Sequence, residues 1–228
     1  MPNGDFKLSG YLEPEEVHAI INAVPEVSHH AERDQLLIEL LWQTGARVSE
    51  AITLVPERIG MTSVVLHNLK QRKSLIGTDG KAVRDAKGKI VKVKNDNALK
   101  EVEVSEALCQ KLKAFCTKHS ILPGEWIFKG NMNPIKRLSR WYVWYMLTNV
   151  SEQAQVFKFG KRNIKTGGRF KGAYPHTLRH SAAMHLLEET GNISLVQQQL
   201  GHASVTTTQG YAFIKQTNIK KAIKEVRW

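Results

Sequence analysis

The sequence predicts a mainly α-helical chain with a small antiparallel β-sheet, an α+β arrangement. Three observations lead there. Apolar residues recur at helical spacing through most of the chain, as at Val17, Ile20, Ile21 and Val24. Only between residues 63 and 104 does the period drop to two, with Val102 and Val104 alternating with Glu101 and Glu103. The intervening stretch around Gly77, Gly80 and Gly88 is polar, which predicts a long exposed hairpin loop.

The elements follow in order. Glu13-Pro14-Glu15-Glu16 opens a first helix, with proline in the first turn where its missing N–H costs nothing. Leu36, Leu37, Leu40 and Leu41 form the stripe of a second helix, which stops near Gly45, a residue suited to a left-handed cap. Arg47 then opens a short segment through Ile52, held between two packed elements. Val64-Val65-Leu66 reads as a strand, and Ile90, Val91 and Val93 suggest another. Helical spacing returns at Leu108, Leu112, Phe115 and Cys116, and again from Leu138 to Met146. In that second stretch Trp141, Tyr142, Trp144 and Tyr145 have the shape to stack on bases, although core and interface packing is the commoner fate of such residues. Thr177 to Glu189 forms a helix ending at Gly191, Ser194 to Leu200 another, and Ile219, Ala222, Ile223 and Val226 line a last one.

Charge and composition narrow the function. With 33 Lys+Arg against 21 Asp+Glu, the net charge is +12, which implies a polyanionic partner, most often nucleic acid. Cations concentrate between residues 70 and 100 and between 158 and 171. In the second region Lys158, Lys161, Arg162, Lys165, Arg169 and Lys171 interleave with Phe157, Phe159 and Phe170, a composition fitted to tracking a DNA backbone. No apolar run is long enough to cross a bilayer, and the first residues lack the basic and apolar regions of a signal peptide. Cys109 and Cys116 share one helix face at a spacing unsuited to a disulfide or a metal, and are expected to be buried thiols.

The reactive side chains gather near the C-terminus. His176-Thr177-Leu178-Arg179-His180 is followed by Leu200-Gly201-His202 and then by Tyr211, with Arg47 far upstream. Breaking a phosphodiester without water needs an attacking hydroxyl, a screen for the developing phosphorane charge and an acid for the departing sugar oxygen. Tyr211 supplies the hydroxyl, dividing one difficult exchange into two reversible ones. Arg47 and Arg179 can each donate two N–H groups to non-bridging oxygens, which lysine cannot. His176 titrates near neutrality and can accept the tyrosine proton. His202 is read as a hydrogen-bond donor to the phosphate, Glu50 as the group that orients a catalytic cation, and His180 as a structural partner. No metal or nucleotide is expected, because a covalent link conserves the phosphodiester energy.

Taken together, Thr44-Gly45-Ala46-Arg47-Val48-Ser49-Glu50, His176-x-x-Arg179-His180, Leu200-Gly201-His202 and Thr207-Thr208-x-x-Tyr211 closely resemble the motifs of the tyrosine recombinases, also called the phage integrase family. The match runs from Tyr11 to Ile214 in the family's order and spacing. It implies the tyrosine recombinase catalytic-domain fold and site-specific DNA strand exchange through a 3′-phosphotyrosyl intermediate on Tyr211. It also implies a lysine general acid on the turn after a strand of the small sheet. Lys70 fits best, with Lys73 next and Lys92 or Lys94 behind them.

The implied partners are double-stranded DNA and other recombinase protomers, a monomer when free and a tetramer in the DNA-bound synapse, acting in the cytoplasm at the nucleoid or in a host cytoplasm if virus-encoded. Residues 1–10 read as a stub, 11–214 as the catalytic domain with a hairpin insertion at about 67–100, and 215–228 as a C-terminal helix exchanged between protomers or folded back. The usual N-terminal clamp domain is not expected in so short a leader, as in a fragment or a naturally short member. Two other activities fit the same residues: a type IB topoisomerase-like relaxing enzyme, or a silent DNA-binding regulator.

Overall fold

The computed structural model describes residues 11–69, 72–78, 80–95, 98–130, 133–156 and 173–200. Helix α1 (Pro14–Val27) starts with Pro14 in its first turn, and the Glu16 carboxylate reaches back to the Glu13 N–H at 2.8 Å. This satisfies one of the donors that a helix start leaves open. Helix α2 (Ala31–Thr44) follows, then the short α3 (Val48–Ala51) and a 3-10 turn at Pro56–Arg58. Four strands come next: β1 (Ser63–His67), β2 (Arg72–Ser74), β3 (Lys92–Lys94) and β4 (Leu99–Glu103). Helices α4 (Glu106–Lys118), α5 (Arg140–Gln153), α6 (Pro175–Thr190) and α7 (Ile193–Leu200) complete the described chain.

The strands pair in a nested order. β1 runs antiparallel to β4, with Val64 opposite Val102 and Leu66 opposite Lys100. β2 and β3 form a separate two-stranded ladder between them. The polar stretch expected as a loop is therefore partly ordered. Isolated bridges join Ile76 to Ala82 and Arg84 to Ile90, so Ile90 lies before β3 rather than in it. Backbone pairing, which needs no apolar side chain, extends the hairpin where the hydrophobic pattern is silent.

Helix α1 packs on α2 and α5, and α2 in turn on α4 and α6. Val17, Ile20, Leu37, Leu40, Leu41, Leu112, Leu147 and Val150 are buried in the main core, and a smaller cluster of Met184, Leu187, Val196 and Leu200 joins α6 to α7. Both cysteines are buried and unpaired, and burial pushes the Cys116 thiol up to about 11. The aromatic run on α5 divides against its expected fate. Tyr142 packs on the core, while Trp141, Trp144 and Tyr145 are exposed and Trp141 stacks on Tyr145 at 5.3 Å.

A buried polar network ties α1, α2 and α5 together. Asp34 is fully buried and accepts from Ser28 Oγ and Tyr142 Oη, each at 2.6 Å, and from Arg33 Nε at 2.9 Å. The Arg33 guanidinium also donates to the Lys129 carbonyl at 2.8 Å and to Tyr142 Oη at 3.0 Å. The tyrosine hydroxyl thus bridges two buried charges, and hydrogen bonds to charged groups are worth about 1.5–3 kcal/mol. Tyr142→Phe should lower unfolding stability by about that amount, read from denaturant midpoints at unchanged m-value. A change below about 0.5 kcal/mol would mean that Ser28 and Arg33 alone satisfy the carboxylate.

Candidate active site

Helix α2 ends on Gly45, whose φ of +56° is the left-handed conformation that glycine adopts without strain. A Cβ here would also collide with the Leu200 side chain. Glycine therefore lets α7 close onto the end of α2. The chain then turns into α3, and the Glu50 carboxylate takes hold of Arg47 twice, accepting from its main-chain N–H at 3.1 Å and from Nη1 at 3.0 Å. Glu50 has no solvent exposure, whereas Arg47 retains some. A buried carboxylate with these two bonds fixes both the backbone and the side chain of the arginine.

Arg179 comes from the opposite end of the sequence, on the first turns of α6. It is buried, donating from Nη1 to the Gly45 carbonyl and from Nη2 to the Leu200 carbonyl at 3.1 Å. The Gly45 carbonyl lies at the end of α2, where helix carbonyls lack intrahelical donors and carry partial negative charge, and the Leu200 carbonyl belongs to the last described residue of α7. Pro175 opens α6 and sets His176 in its first turn. The result is a cleft of about 440 Å³ lined by Arg47, Glu50, Arg140, Trp144, His176 and Arg179, among others.

Arg47, Glu50, His176 and Arg179 are thus brought together. His180 is not among the cleft residues; its ring sits edge-on to Tyr11 with centroids 6.1 Å apart, and burial lowers its pKa below the usual imidazole value. Lys73 falls in β2 opposite Val93, and Lys92 and Lys94 in β3. Lys70, His202, Tyr211, the cations Lys158, Lys161, Arg162, Lys165, Arg169 and Lys171, and the segment 215–228 lie outside the described residues. Among the described residues there is no group of three or more His, Cys, Asp or Glu able to hold a metal, and no helix long and apolar enough to cross a membrane.

Two cleft or near-cleft residues, Arg140 and Lys100, were not anticipated, and Trp144 was weighed only as a base-stacking aromatic. Arg140 and Trp144 reach the cleft from α5. Lys100 stands behind it on β4, with Nζ 3.8 Å from Glu50 Oε2 and 3.3 Å from the Leu200 carbonyl. Burial pushes its ammonium down to about 8; Glu50 pulls upward, while Arg179 and Arg47 add to the downward push. The strand alternation carried a signal for Lys100, because it shares a face with buried Ala98 and Val102.

The family model for the phage integrase family matches residues 10–217. The chain belongs to that family. It is 32% identical over 221 residues to the tyrosine recombinase XerD of Staphylococcus aureus strain Mu50, covering 96% of this chain and 63% of the relative. It is 29% identical to the XerD of Staphylococcus saprophyticus, covering 98% of this chain and 64% of the relative. The chain thus spans just under two thirds of the length of these curated relatives. Among solved structures, the XerA recombinase matches with a TM-score of 0.64 at 21% identity, over 96% of this chain and 66% of that one. The catalytic domain of bacteriophage HP1 integrase matches with a TM-score of 0.53 at 19% identity, over 94% of both chains. These structures share the integrase fold, a helical body with a small antiparallel sheet, in agreement with the α+β expectation.

Proposed function

We propose that this phage integrase family member performs site-specific DNA recombination, cutting and rejoining strands through a 3′-phosphotyrosine on Tyr211. The observation that carries this reading is the convergence of Arg47 and Arg179, from distant parts of the chain, on one cleft that His176 also lines. Two guanidiniums in a partly enclosed site suit the two non-bridging oxygens of a phosphodiester, whose negative charge grows as a fifth oxygen approaches phosphorus. The Tyr211 oxygen attacks phosphorus and His176 takes its proton. The phosphorus–5′-oxygen bond breaks, and the departing oxygen receives a proton from a lysine of the hairpin, Lys70 in preference to Lys73. His202 donates to the phosphate. Attack by a 5′-hydroxyl from a second duplex reverses these steps and exchanges the strands.

A net charge of +12 supports double-stranded DNA as the partner. Similarity to XerD recombinases supports recombination over simple relaxation, and a synapse of several protomers follows from exchange between two duplexes. The test uses nicked duplexes drawn from the DNA flanking the gene, in which the strand end released by cleavage diffuses away and traps the covalent complex. The expected product survives denaturant, is destroyed by protease and forms equally well with a chelator present. Binding without any adduct would leave a DNA-binding regulator as the reading, and relaxation of supercoiled plasmid without joint products would leave the topoisomerase-like one.

A further inference from the structure

Lys100 is a charged residue where a strand of this kind ordinarily carries an apolar one. Val102, its neighbour on the same face of β4, is buried, as are Ala98 just before the strand and Leu66 across the ladder. An ammonium on such a face loses hydration and is retained only where acceptors replace the lost water. Two acceptors do so here, the Glu50 carboxylate at 3.8 Å and the Leu200 carbonyl at 3.3 Å. A buried ion pair of this kind is a weak source of stability compared with an apolar side chain of similar size. Its presence at this position therefore calls for a reason other than folding.

We propose that Lys100 is a positioning residue for strand cleavage, cancelling the charge of Glu50 and, together with Arg179, anchoring the Leu200 carbonyl at the end of α7. This rests on the recombination reading of the same cleft. The charge balance explains the need. The Glu50 carboxylate holds Arg47 by an ion pair, and a carboxylate left uncompensated there would offset one of the two arginines facing the phosphate. With Lys100 charged, Arg47 and Arg179 keep a net charge of two for a phosphorane that carries two negative charges. The anchoring role has a matching geometry, since the carbonyl that accepts from Lys100 also accepts from Arg179 at 3.1 Å. Two residues further along the sequence stands His202. Lys100 does not line the cleft, and its Nζ faces Glu50 and Leu200. It acts through the residues that do line the cleft and does not itself meet the departing oxygen.

The charged groups facing Lys100 are Glu50 and Arg47 from the α3 turn and Arg179 from α6, and with burial they set its titration at about 8. Single-turnover adduct formation by the full chain at saturating nicked DNA, followed from pH 6.5 to 9.5, is the test. The wild-type rate should fall above about pH 8, as Lys100 loses its proton and Glu50 loses its counter-charge. K100M should slow adduct formation roughly 10–100-fold at pH 7 with DNA affinity unchanged. K100R should restore most of the rate and carry the alkaline fall upward by more than about one pH unit, because guanidinium stays charged. If K100M does not fold, the K100R profile decides alone. A wild-type rate in K100M, or an alkaline fall unmoved in K100R, would overturn the proposal. Absence of any adduct from the wild-type chain would instead overturn the recombination reading and remove the ground on which this proposal stands.

Discussion

Tyr211→Phe is expected to bind DNA as well as the wild-type chain and to form no denaturation-resistant adduct. The substitution deletes one oxygen and leaves the ring, so packing and charge stay constant while the nucleophile is lost. Because a covalent step either has its attacking atom or lacks it, the expected effect is complete loss rather than slowing. The four other tyrosines are Tyr11, Tyr142, Tyr145 and Tyr174. Tyr142 is committed to Arg33 and Asp34, and Tyr11 to Glu188 at 3.0 Å. Burial and that carboxylate also push the Tyr11 phenol up to about 12, the wrong direction for a nucleophile. Peptide mapping of a surviving adduct to another tyrosine would transfer the assignment there.

Arg179→Lys should be the most damaging conservative change in the chain. The guanidinium spans the Gly45 and Leu200 carbonyls while lining the cleft, three directions that a single ammonium on a shorter reach cannot serve. Losing one preorganised donor at a developing charge costs about 10²–10³ in rate. Leaving a buried carbonyl without its donor adds about 1–3 kcal/mol of lost stability. Single-turnover cleavage and denaturant unfolding of the same variant separate the two effects. Cleavage within about threefold of wild type would show that phosphate stabilisation rests on Arg47 and histidine instead.

What could be read in advance divides along physical lines. The helices were legible because their apolar stripes report a local period, and the caps at Pro14 and Gly45 mark their ends. Strand β2 within the inserted hairpin was not, because Arg72, Lys73 and Ser74 carry no apolar alternation to reveal a strand. In the site, Arg47 and Arg179 stood out by motif. For Lys100, between Leu99 and Glu101, the alternation with Ala98 and Val102 is the one local hint, and its ion pair with Glu50 of α3 and its bond to Leu200 of α7 are long-range events. That Arg140 and Trp144 meet in the cleft was hidden for the same reason. Their position in the cleft depends on how α5 packs on α1 and α3, which no local window contains.

The two carbonyls held by Arg179 lie 134 and 21 residues away from it along the chain. During synthesis, a growing polypeptide acquires Arg47 early and Arg179 late, yet the second anchor emerges only after α7 has left the ribosome. Until then Arg179 has only its Gly45 anchor, and one hydrogen bond instead of two opposes the entropy of ordering its side chain. On the recombination reading proposed above, competence to cut DNA consequently needs a chain extended at least through α7 and cannot be switched on halfway through translation.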